Sequence, residues 1–212
     1  MLVQDLSSFR LPPNFRGRSR WYVQIWWCVH SVLFAASPQA LYGWRRFLLR
    51  LFGAKVGKGV MIRPSVRVVY PWKLEICDYA WIGDRVELYT LETIKIGAHS
   101  VISQDSYICT GTHDYLDPSF AIKALPITIG AEAWLASQVF VCPGVTIGRG
   151  AVIGARSLVL SDIPPMMVAH GHPAKIAGKR ILDPDGRSFK IDDTDHPTCS
   201  NTGSKAQPPT RS

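Results

Sequence analysis

The sequence lacks the features that mark several common classes of protein. Its five cysteines include no Cys-x-x-Cys pair, so the usual zinc and dithiol redox motifs are absent and a reduced, cytoplasmic setting is expected. Its apolar stretch, residues 21–36, is shorter than the ~20 residues that span a bilayer and is interrupted by Gln24 and His30. A polar and basic segment precedes this stretch, so a signal peptide is not expected.

Acidic residues are nearly absent from the N-terminal region. Residues 1–58 contain nine Lys and Arg against the single acid Asp5, whereas the remaining residues contain fifteen basic and fifteen acidic side chains. The net charge of +8 therefore belongs to this region, which argues against a nucleic-acid-binding protein. The apolar stretch predicts a helix that packs on the next domain or on a neighbouring subunit. The alternative is a helix lying on an anionic membrane surface.

What the sequence does contain is an aliphatic residue at every sixth position. A spacing of six fits neither an α-helix nor a flat strand, and it is typical of a parallel β-helix whose chain turns a corner every six residues. Two residues, Val56 and Ile62, predict a first, incomplete coil. The inward-facing aliphatics of the further coils are Ile76, Ile82, Leu88, Ile96, Ile102, Ile108, Ile129, Leu135, Val141, Ile147, Ile153 and Val159.

Two interruptions break the spacing. One is a two-residue slip between Leu88 and Ile96, and the other is a long insertion between Ile108 and Ile129. Function in solenoids concentrates where an insertion leaves the coil as a loop. His113 stands at the start of the long insertion, where its imidazole suits a general base that removes a proton from a hydroxyl or an amine. Asp114 or Asp117 is expected to orient the ring or to bind a polar acceptor.

Several motifs resemble those of a known family. Together with the repeats, over about 44–180, they resemble the hexapeptide-repeat acyltransferases, and among these the colanic acid biosynthesis O-acetyltransferases of the maltose/galactoside acetyltransferase group. The motifs are Tyr70-Pro71-Trp72, Thr110-Gly111-Thr112-His113-Asp114-Tyr115 with Asp117-Pro118, Pro126-Ile127-Thr128-Ile129, Cys142-Pro143-Gly144-Val145-Thr146-Ile147-Gly148, Asp162-Ile163-Pro164-Pro165 and Gly171-His172-Pro173-Ala174-Lys175.

The resemblance implies an all-β, left-handed parallel β-helix that assembles as a homotrimer, with acetyl-CoA as co-substrate in a groove between subunits. It implies that His113, by its place in the motif, deprotonates the hydroxyl of a sugar acceptor in exopolysaccharide biosynthesis, without a metal. The implied location is cytoplasmic, with peripheral contact to the inner face of the membrane through 1–54 as an option.

The resemblance also implies residues that bind acetyl-CoA. Trp134 matches an aromatic residue by the CoA or acceptor end of the groove, and Lys175, assisted by Arg180, matches a basic residue near the adenosine 3′-phosphate. Relatives often carry a lysine where this chain has Ser161, which removes one phosphate contact. Small residues match positions along the pantetheine arm, although any β-helix also needs small residues there for packing; they are Ala136, Ser137 and Ala155.

Three other functions compete with O-acetylation. The same fold and base serve N-acetylation of an amino sugar, and a non-catalytic β-helix for assembly is a further alternative. A metalloenzyme resembling γ-carbonic anhydrase is excluded because the six histidines include no pair five residues apart.

The expected organisation has three parts. A basic, aromatic helical segment covers 1–54, and its second helix is predicted over 43–52. The β-helix acetyltransferase domain covers 55–180 with its loop insertion over 111–126, and a disordered tail is predicted over 181–212.

Overall fold

The structure, a computed structural model, describes residues 3–182. The chain starts with a 3₁₀ turn (Leu6–Ser8), helix α1 (Arg20–Val29), a π-helical turn (His30–Phe34) and helix α2 (Tyr42–Leu51). It then winds into a parallel β-helix of about six coils. The predicted disordered tail lies, apart from its first two residues, outside the described residues.

Each complete coil contributes one short strand to each of three parallel sheets, here called side 1, side 2 and side 3 in the order in which the chain visits them. The first three coils contain β1 (Lys55–Val56), β2 (Met61–Ile62), β3 (Arg67–Val68), β4 (Leu74–Ile76), β5 (Trp81–Ile82), β6 (Glu87–Tyr89), β7 (Ile94–Ile96), β8 (Val101–Ile102) and β9 (Tyr107–Cys109).

An antiparallel hairpin follows the third coil, and the β-helix then resumes. The hairpin consists of β10 (Gly111–His113) and β11 (Ile122–Ala124). The next two coils contain β12 (Ile127–Ile129), β13 (Trp134–Leu135), β14 (Phe140–Val141), β15 (Thr146–Ile147), β16 (Val152–Ile153) and β17 (Leu158–Val159). Ile163 then bridges to side 1, β18 (Met167–Gly171) joins side 2, and β19 (Ala174–Lys179) pairs antiparallel with β18.

The six-residue spacing is confirmed as the inward column of the β-helix. All of the predicted aliphatics are at most 9 % exposed, because each points into the dry interior between the three sides. The first coil, predicted as incomplete, is complete. Val68, six residues after Ile62, supplies its third inward side chain at 4 % exposure. The predicted fold class, a parallel β-helix of hexapeptide repeats behind an N-terminal helical segment, is confirmed.

Stacking of the coils explains why small residues follow several of the inward aliphatics, such as Gly130 after Ile129. At the corner between sides 1 and 2, an added Cβ on Gly130 would lie 2.5 Å from the backbone nitrogen of Arg149 in the next coil. Backbone in a stacked coil cannot yield as a flexible side chain can, so position 130 requires glycine.

Every interruption of the spacing falls at one corner, between sides 3 and 1. Eight residues rather than six separate Val68 from Ile76 and also Leu88 from Ile96, so the predicted single slip is in fact a regular feature of the early coils. The slip leaves the pairing intact, because Glu75, Lys95 and Thr128 stay in register across side 1. This edge of the molecule, which also carries the hairpin, is called the insertion corner.

Helix α1 packs on the first coils through one face. Trp26 is fully buried and donates its indole N–H to the carbonyl of Val68 at 2.8 Å, and Phe34 is buried beside it. His30 lies 3.0 Å from the carbonyl of Val66 through Nε2. The helix therefore belongs to the same hydrophobic core as the β-helix. Within residues 3–182, no helix combines the length and the apolarity that crossing a membrane requires.

Candidate active site

The insertion corner carries a small hydrophobic cluster outside the main core, here called the corner cluster. It contains side chains from the N-terminal segment, from the inserted residues of the first two coils and from the hairpin. Its members are Val23, Tyr70 and Leu91, with Phe15, Val69, Trp72, Tyr89, Ile122 and Ala124 packed against them. The early slips thus have a structural role, because they build the platform on which the hairpin rests.

The hairpin approaches this platform closely. Strand β10 pairs with β11 so that Gly111 faces Ala124 and His113 faces Ile122. A Cβ on Gly111 would lie 2.6 Å from Cδ1 of Leu91 and 3.0 Å from Cε1 of Tyr89. A residue without a side chain is therefore needed two positions before His113, and it lets β10 lie directly against the corner cluster.

Phe120 fixes both the orientation and the tautomer of the His113 imidazole. Its Nδ1 lies 2.8 Å from the carbonyl oxygen of Phe120, and its ring stacks on the Phe120 ring at 4.0 Å with an interplanar angle of 8°. A carbonyl oxygen only accepts hydrogen bonds, so Nδ1 carries the proton. In the neutral ring Nε2 is then the unprotonated nitrogen, which is the state that a general base requires.

Asp114 and Asp117 stabilise the loop rather than the imidazole. The Asp114 carboxylate pairs with Nζ of Lys123 at 2.7 Å and accepts the backbone N–H of Leu116 at 3.1 Å. The hydrogen bond from Lys123 lowers the pKa of Asp114. Asp117 accepts the backbone N–H of Ser119 at 2.8 Å. The orienting role that the sequence offered to these two aspartates is thus filled by the carbonyl of Phe120, while acceptor binding stays a prediction.

The residues predicted along the pantetheine arm lie at a different corner. Ala136 and Ser137 follow β13 at the turn from side 2 to side 3, and Ala155 occupies the position of Ser137 one coil further on. The coils are tied here by the N–H of Arg156, which donates to the Ser137 carbonyl at 2.9 Å. Trp134 lies on side 2, 42 % exposed, with its indole N–H donated to Oγ of Ser103 at 3.1 Å.

The two predicted basic residues lie on the last strand and just after it. Lys175 is exposed on β19, opposite His170 in β18. Arg180 donates from Nη1 to the carbonyls of Glu132 and Gly150 at 2.9 and 3.1 Å, at the corner between sides 1 and 2. These bonds commit part of the guanidinium to holding the segment after β19 on the β-helix.

One chain therefore does not bring the predicted base and the predicted acetyl-CoA residues together. His113 lies between sides 3 and 1, whereas Ser137 and Ala155 lie between sides 2 and 3. The sequence also did not reveal Phe120 and Phe9, whose rings contact the imidazole with centroids at 4.0 and 6.1 Å. An aromatic residue inside the insertion was the only signal for Phe120, and no pattern in the sequence marked Phe9.

The described residues contain four cysteines and no group of side chains suited to a metal ion. Cys28, Cys77, Cys109 and Cys142 are free thiols. Cys109 is buried, whereas Cys28 and Cys77 are exposed. Across residues 3–182 no three side chains of His, Cys, Asp or Glu are grouped so that they could hold a metal ion.

Comparison with known proteins finds close relatives. The protein WcaF of Escherichia coli K12, provisionally named a colanic acid biosynthesis acetyltransferase, is 59 % identical over 179 residues, which cover 84 % of this chain and 98 % of the relative. The galactoside O-acetyltransferase of Escherichia coli K12 is 33 % identical over 135 residues, which cover 62 % of this chain and 66 % of that protein. No family model matches the chain.

Solved structures agree with these relatives. A galactoside acetyltransferase in complex with coenzyme A superposes with a TM-score of 0.73 at 26 % identity, covering 85 % of this chain and 89 % of the other. A maltose O-acetyltransferase from Clostridium difficile 630 superposes with a TM-score of 0.70 at 25 % identity, covering 76 % and 89 %. The chain belongs to the hexapeptide-repeat acetyltransferases, on the branch of the colanic acid biosynthesis acetyltransferases and beside the galactoside and maltose O-acetyltransferases.

Proposed function

We propose that this protein transfers an acetyl group from acetyl-CoA to a sugar hydroxyl during exopolysaccharide synthesis, with His113 as general base. The observation that carries the proposal is the hydrogen bond between Nδ1 of His113 and the Phe120 carbonyl at 2.8 Å, which leaves Nε2 free to accept a proton. The relatives support the reaction class, because the galactoside acetyltransferase structure contains coenzyme A and WcaF is named for colanic acid biosynthesis.

The chemistry follows from that tautomer. Nε2 of His113 accepts the proton of the acceptor hydroxyl while the hydroxyl oxygen attacks the thioester carbonyl carbon of acetyl-CoA. The tetrahedral intermediate places negative charge on the former carbonyl oxygen, which a backbone N–H stabilises. Its collapse breaks the carbon–sulfur bond, and the thiolate of CoA recovers the proton from the imidazolium. The acceptor leaves as an acetyl ester.

We further propose that the site is completed by a second copy of the chain in a homotrimer. His113 and the predicted pantetheine contacts lie at different corners of one β-helix, so a groove between two subunits is the arrangement that joins them. In that groove Trp134 flanks the CoA or acceptor end, Ala136, Ser137 and Ala155 let the pantetheine arm lie near the backbone, and Lys175 meets the 3′-phosphate. Nη1 of Arg180 donates to the carbonyls of Glu132 and Gly150, so only its other guanidinium nitrogens can assist Lys175 at the phosphate.

Replacing His113 tests the base assignment. His113→Ala is expected to lower acetyl transfer by a factor on the order of 10² or more, because general base catalysis typically contributes 10²–10⁴. Release of free CoA thiol from acetyl-CoA with a panel of saccharide acceptors is the assay, and amino sugars in that panel distinguish O- from N-acetylation. His99→Ala, at the corner between sides 1 and 2, is the matched control and should remain active. Near-normal turnover by His113→Ala would overturn the assignment.

Mixed assemblies test the shared site. His113→Ala supplies an intact acetyl-CoA corner, and Ser137→Trp, which fills the pantetheine position, supplies an intact base. Each variant alone should be inactive. Coexpressed and copurified chains should regain activity in the grooves that combine the intact base of one variant with the intact acetyl-CoA corner of the other. A mixed assembly as inactive as its parents would place the whole site within one chain.

We also propose that α1 touches an anionic membrane surface. The face opposite the core exposes Trp21 and Ile25 of α1 and Val32 of the π-helical turn that continues it, with exposed fractions of 68, 55 and 67 %. Arg18 and Arg20 lie at the start of the same helix, where they complement anionic headgroups. An apolar helix face with this basic rim is typical of interfacial helices.

Introducing negative charge on that face tests the membrane contact more cleanly than truncation, because removing residues 1–40 would delete α1 and uncover the core side chains that it covers. Ile25→Glu combined with Val32→Glu should abolish cosedimentation with vesicles that contain phosphatidylglycerol. Leu160→Glu, equally exposed on the last complete coil, should bind as the unmodified protein does. If the unmodified protein fails to cosediment, the proposal is wrong, and a trimer that dissociates in Ile25→Glu would assign the face to a neighbouring subunit.

A further inference from the structure

An N-terminal segment, residues 5–17, lies along the insertion corner from the first coil to the hairpin and is here called the strap. At its C-terminal end the indole N–H of Trp72 donates to the carbonyl of Arg16 at 2.7 Å. At its N-terminal end the backbone N–H of Asp5 donates to the carbonyl of Pro118 at 2.7 Å, inside the loop that joins β10 and β11. The strap therefore connects the platform of the insertion corner with the loop that follows His113.

The strap is also anchored through Phe15, close to its C-terminal end. Nζ of Lys73 donates to the carbonyl of Phe15 at 2.9 Å and to that of Leu91 at 2.5 Å, and it lies 5.4 Å from the centroid of the Phe15 ring. Burial lowers the pKa of this ammonium group. One side chain thus ties strap and inserted residues together through charge-assisted hydrogen bonds, which are stronger than neutral ones.

The strap is also stiffened internally near the hairpin. The carboxylate of Asp5 accepts the backbone N–H of Ser7 at 3.0 Å and its hydroxyl at 2.6 Å. The guanidinium of Arg10 donates to the carbonyls of Ser7 and Phe9 at 2.9 and 2.7 Å. These local bonds fix the short turn Leu6–Ser8 and hence the direction in which Phe9 points.

Phe9 reaches the imidazole that the proposed mechanism uses. Its ring centroid lies 6.1 Å from that of His113 with an interplanar angle of 49°, which is within the range of a favourable aromatic pair. Phe9 is half-buried, although its neighbours Leu6 and Ser8 on the strap are exposed. The rest of the imidazole environment comes from Phe120, which provides the carbonyl at Nδ1 and a stacked ring.

We propose that Phe9 is a positioning residue for His113, and that the strap makes the N-terminal segment a working part of the catalytic site. The Phe120 contacts fix the tautomer and one face of the ring, but a single hydrogen bond and one stacked face still permit the hairpin tip to move. Phe9, held by a strap that is itself bonded to Pro118, restricts that movement. The inference depends on His113 being the base, as proposed above.

Substitution of Phe9 tests this role. Phe9→Ala should lower kcat roughly 10-fold, because small misplacements of a catalytic group cost up to ~10²-fold in rate. The KM for acetyl-CoA should change less than about twofold, since its predicted contacts lie at another corner. Phe9→Tyr preserves the ring and should restore most of kcat. Leu6→Ala, on the same strap at 61 % exposure, is the matched control and should match the unmodified protein.

Two measurements separate positioning from a general loss of structure. The melting temperature of Phe9→Ala should stay within about 2 °C of the unmodified protein, because the residue lies outside the core. In a His113→Ala background, Phe9→Ala should cause no further loss, since there is no imidazole left to position. A further loss there, or an unchanged kcat in the single variant, would overturn the proposal. Near-normal activity of His113→Ala alone would instead refute the base assignment itself.

Discussion

Replacement of Gly111 by alanine is expected to move His113, the proposed general base, without unfolding the protein. The added Cβ would lie 2.6 Å from Cδ1 of Leu91, whereas ordinary van der Waals contact starts at 3.4 Å. The shortfall is therefore roughly 0.8 Å. Leu91 is 5 % exposed in the corner cluster and cannot rotate freely away, and Tyr89 blocks the neighbouring direction at 3.0 Å. Strand β10 must move outward, and His113, two residues later on that strand, must move with it.

The expected cost follows from that displacement. A misplacement of about 1 Å lowers catalytic rates by up to ~10²-fold, so Gly111→Ala should lower kcat between roughly 10- and 100-fold. Overpacking costs typically ~1–3 kcal/mol, and here the hairpin can yield because it lies outside the stacked coils. The backbone of Gly111 does not have the positive φ of a glycine-only conformation. The loss should therefore appear in kcat far more than in thermal stability.

A thiol-release assay at saturating acetyl-CoA measures the change. Gly43→Ala, where the added methyl meets only the end of the Arg46 side chain at 3.8 Å, is the matched control and should keep full activity. The decisive variant is Gly111→Ala combined with Leu91→Ala, which makes room for the methyl and should recover part of the lost rate. If the double variant is no more active than Gly111→Ala, contact with the corner cluster does not position His113 and the reasoning fails.

Two further predictions concern stability. Burial lowers the pKa of His30 from 6.5, so its neutral form is favoured in the folded state, and the stability it contributes is present above pH 6.5 and lost as the pH falls through its folded-state pKa. Thermal melts between pH 7.5 and 5 should therefore show a decline that His30→Gln weakens, and parallel curves for the two proteins would contradict this. Gly130→Ala should cost at least ~1–3 kcal/mol in denaturant unfolding, because its methyl meets backbone of the next coil; an unchanged midpoint would show that the coils can separate freely.

The β-helix itself was predictable because its interior imposes a strict period. A residue such as Ile129 or Leu135 faces the core in every coil, and a polar side chain there would lose its hydrogen bonds. The same logic located the insertion corner, since a chain that leaves the period must leave the coil. The first coil was predicted as incomplete because a two-residue insertion follows Val68, its third inward residue. A second insertion of the same length lies between Leu88 and Ile96. The spacing alone does not show that both insertions lie at one corner.

The contacts of His113 were less predictable because they arise from folding of the insertion rather than from the repeat. Asp114 and Asp117 are natural partners for a histidine by residue type. The conformation of the hairpin instead places the backbone carbonyl of Phe120 at Nδ1 of His113. A backbone acceptor exists at every residue, so no sequence pattern identifies Phe120 as the residue whose carbonyl accepts the hydrogen bond from His113. Phe9 is further removed still, because more than one hundred residues separate it from the ring that it contacts.

The concentration of every irregular feature at one corner has a physical reason. In the regular coils each residue has a structural role: it is an inward aliphatic, a small residue under the next coil or a turn residue. Asp105 is such a turn residue and adopts a φ of 61°. A catalytic side chain needs support that such a repeat cannot supply, so its support must come from residues outside the repeat. The insertions of the first two coils, helix α1 and the strap provide it through the corner cluster, and the hairpin contributes Ile122 and Ala124 to the same cluster. The N-terminal segment and the hairpin that carries His113 are therefore parts of one packing unit, and we expect a change in either to move His113.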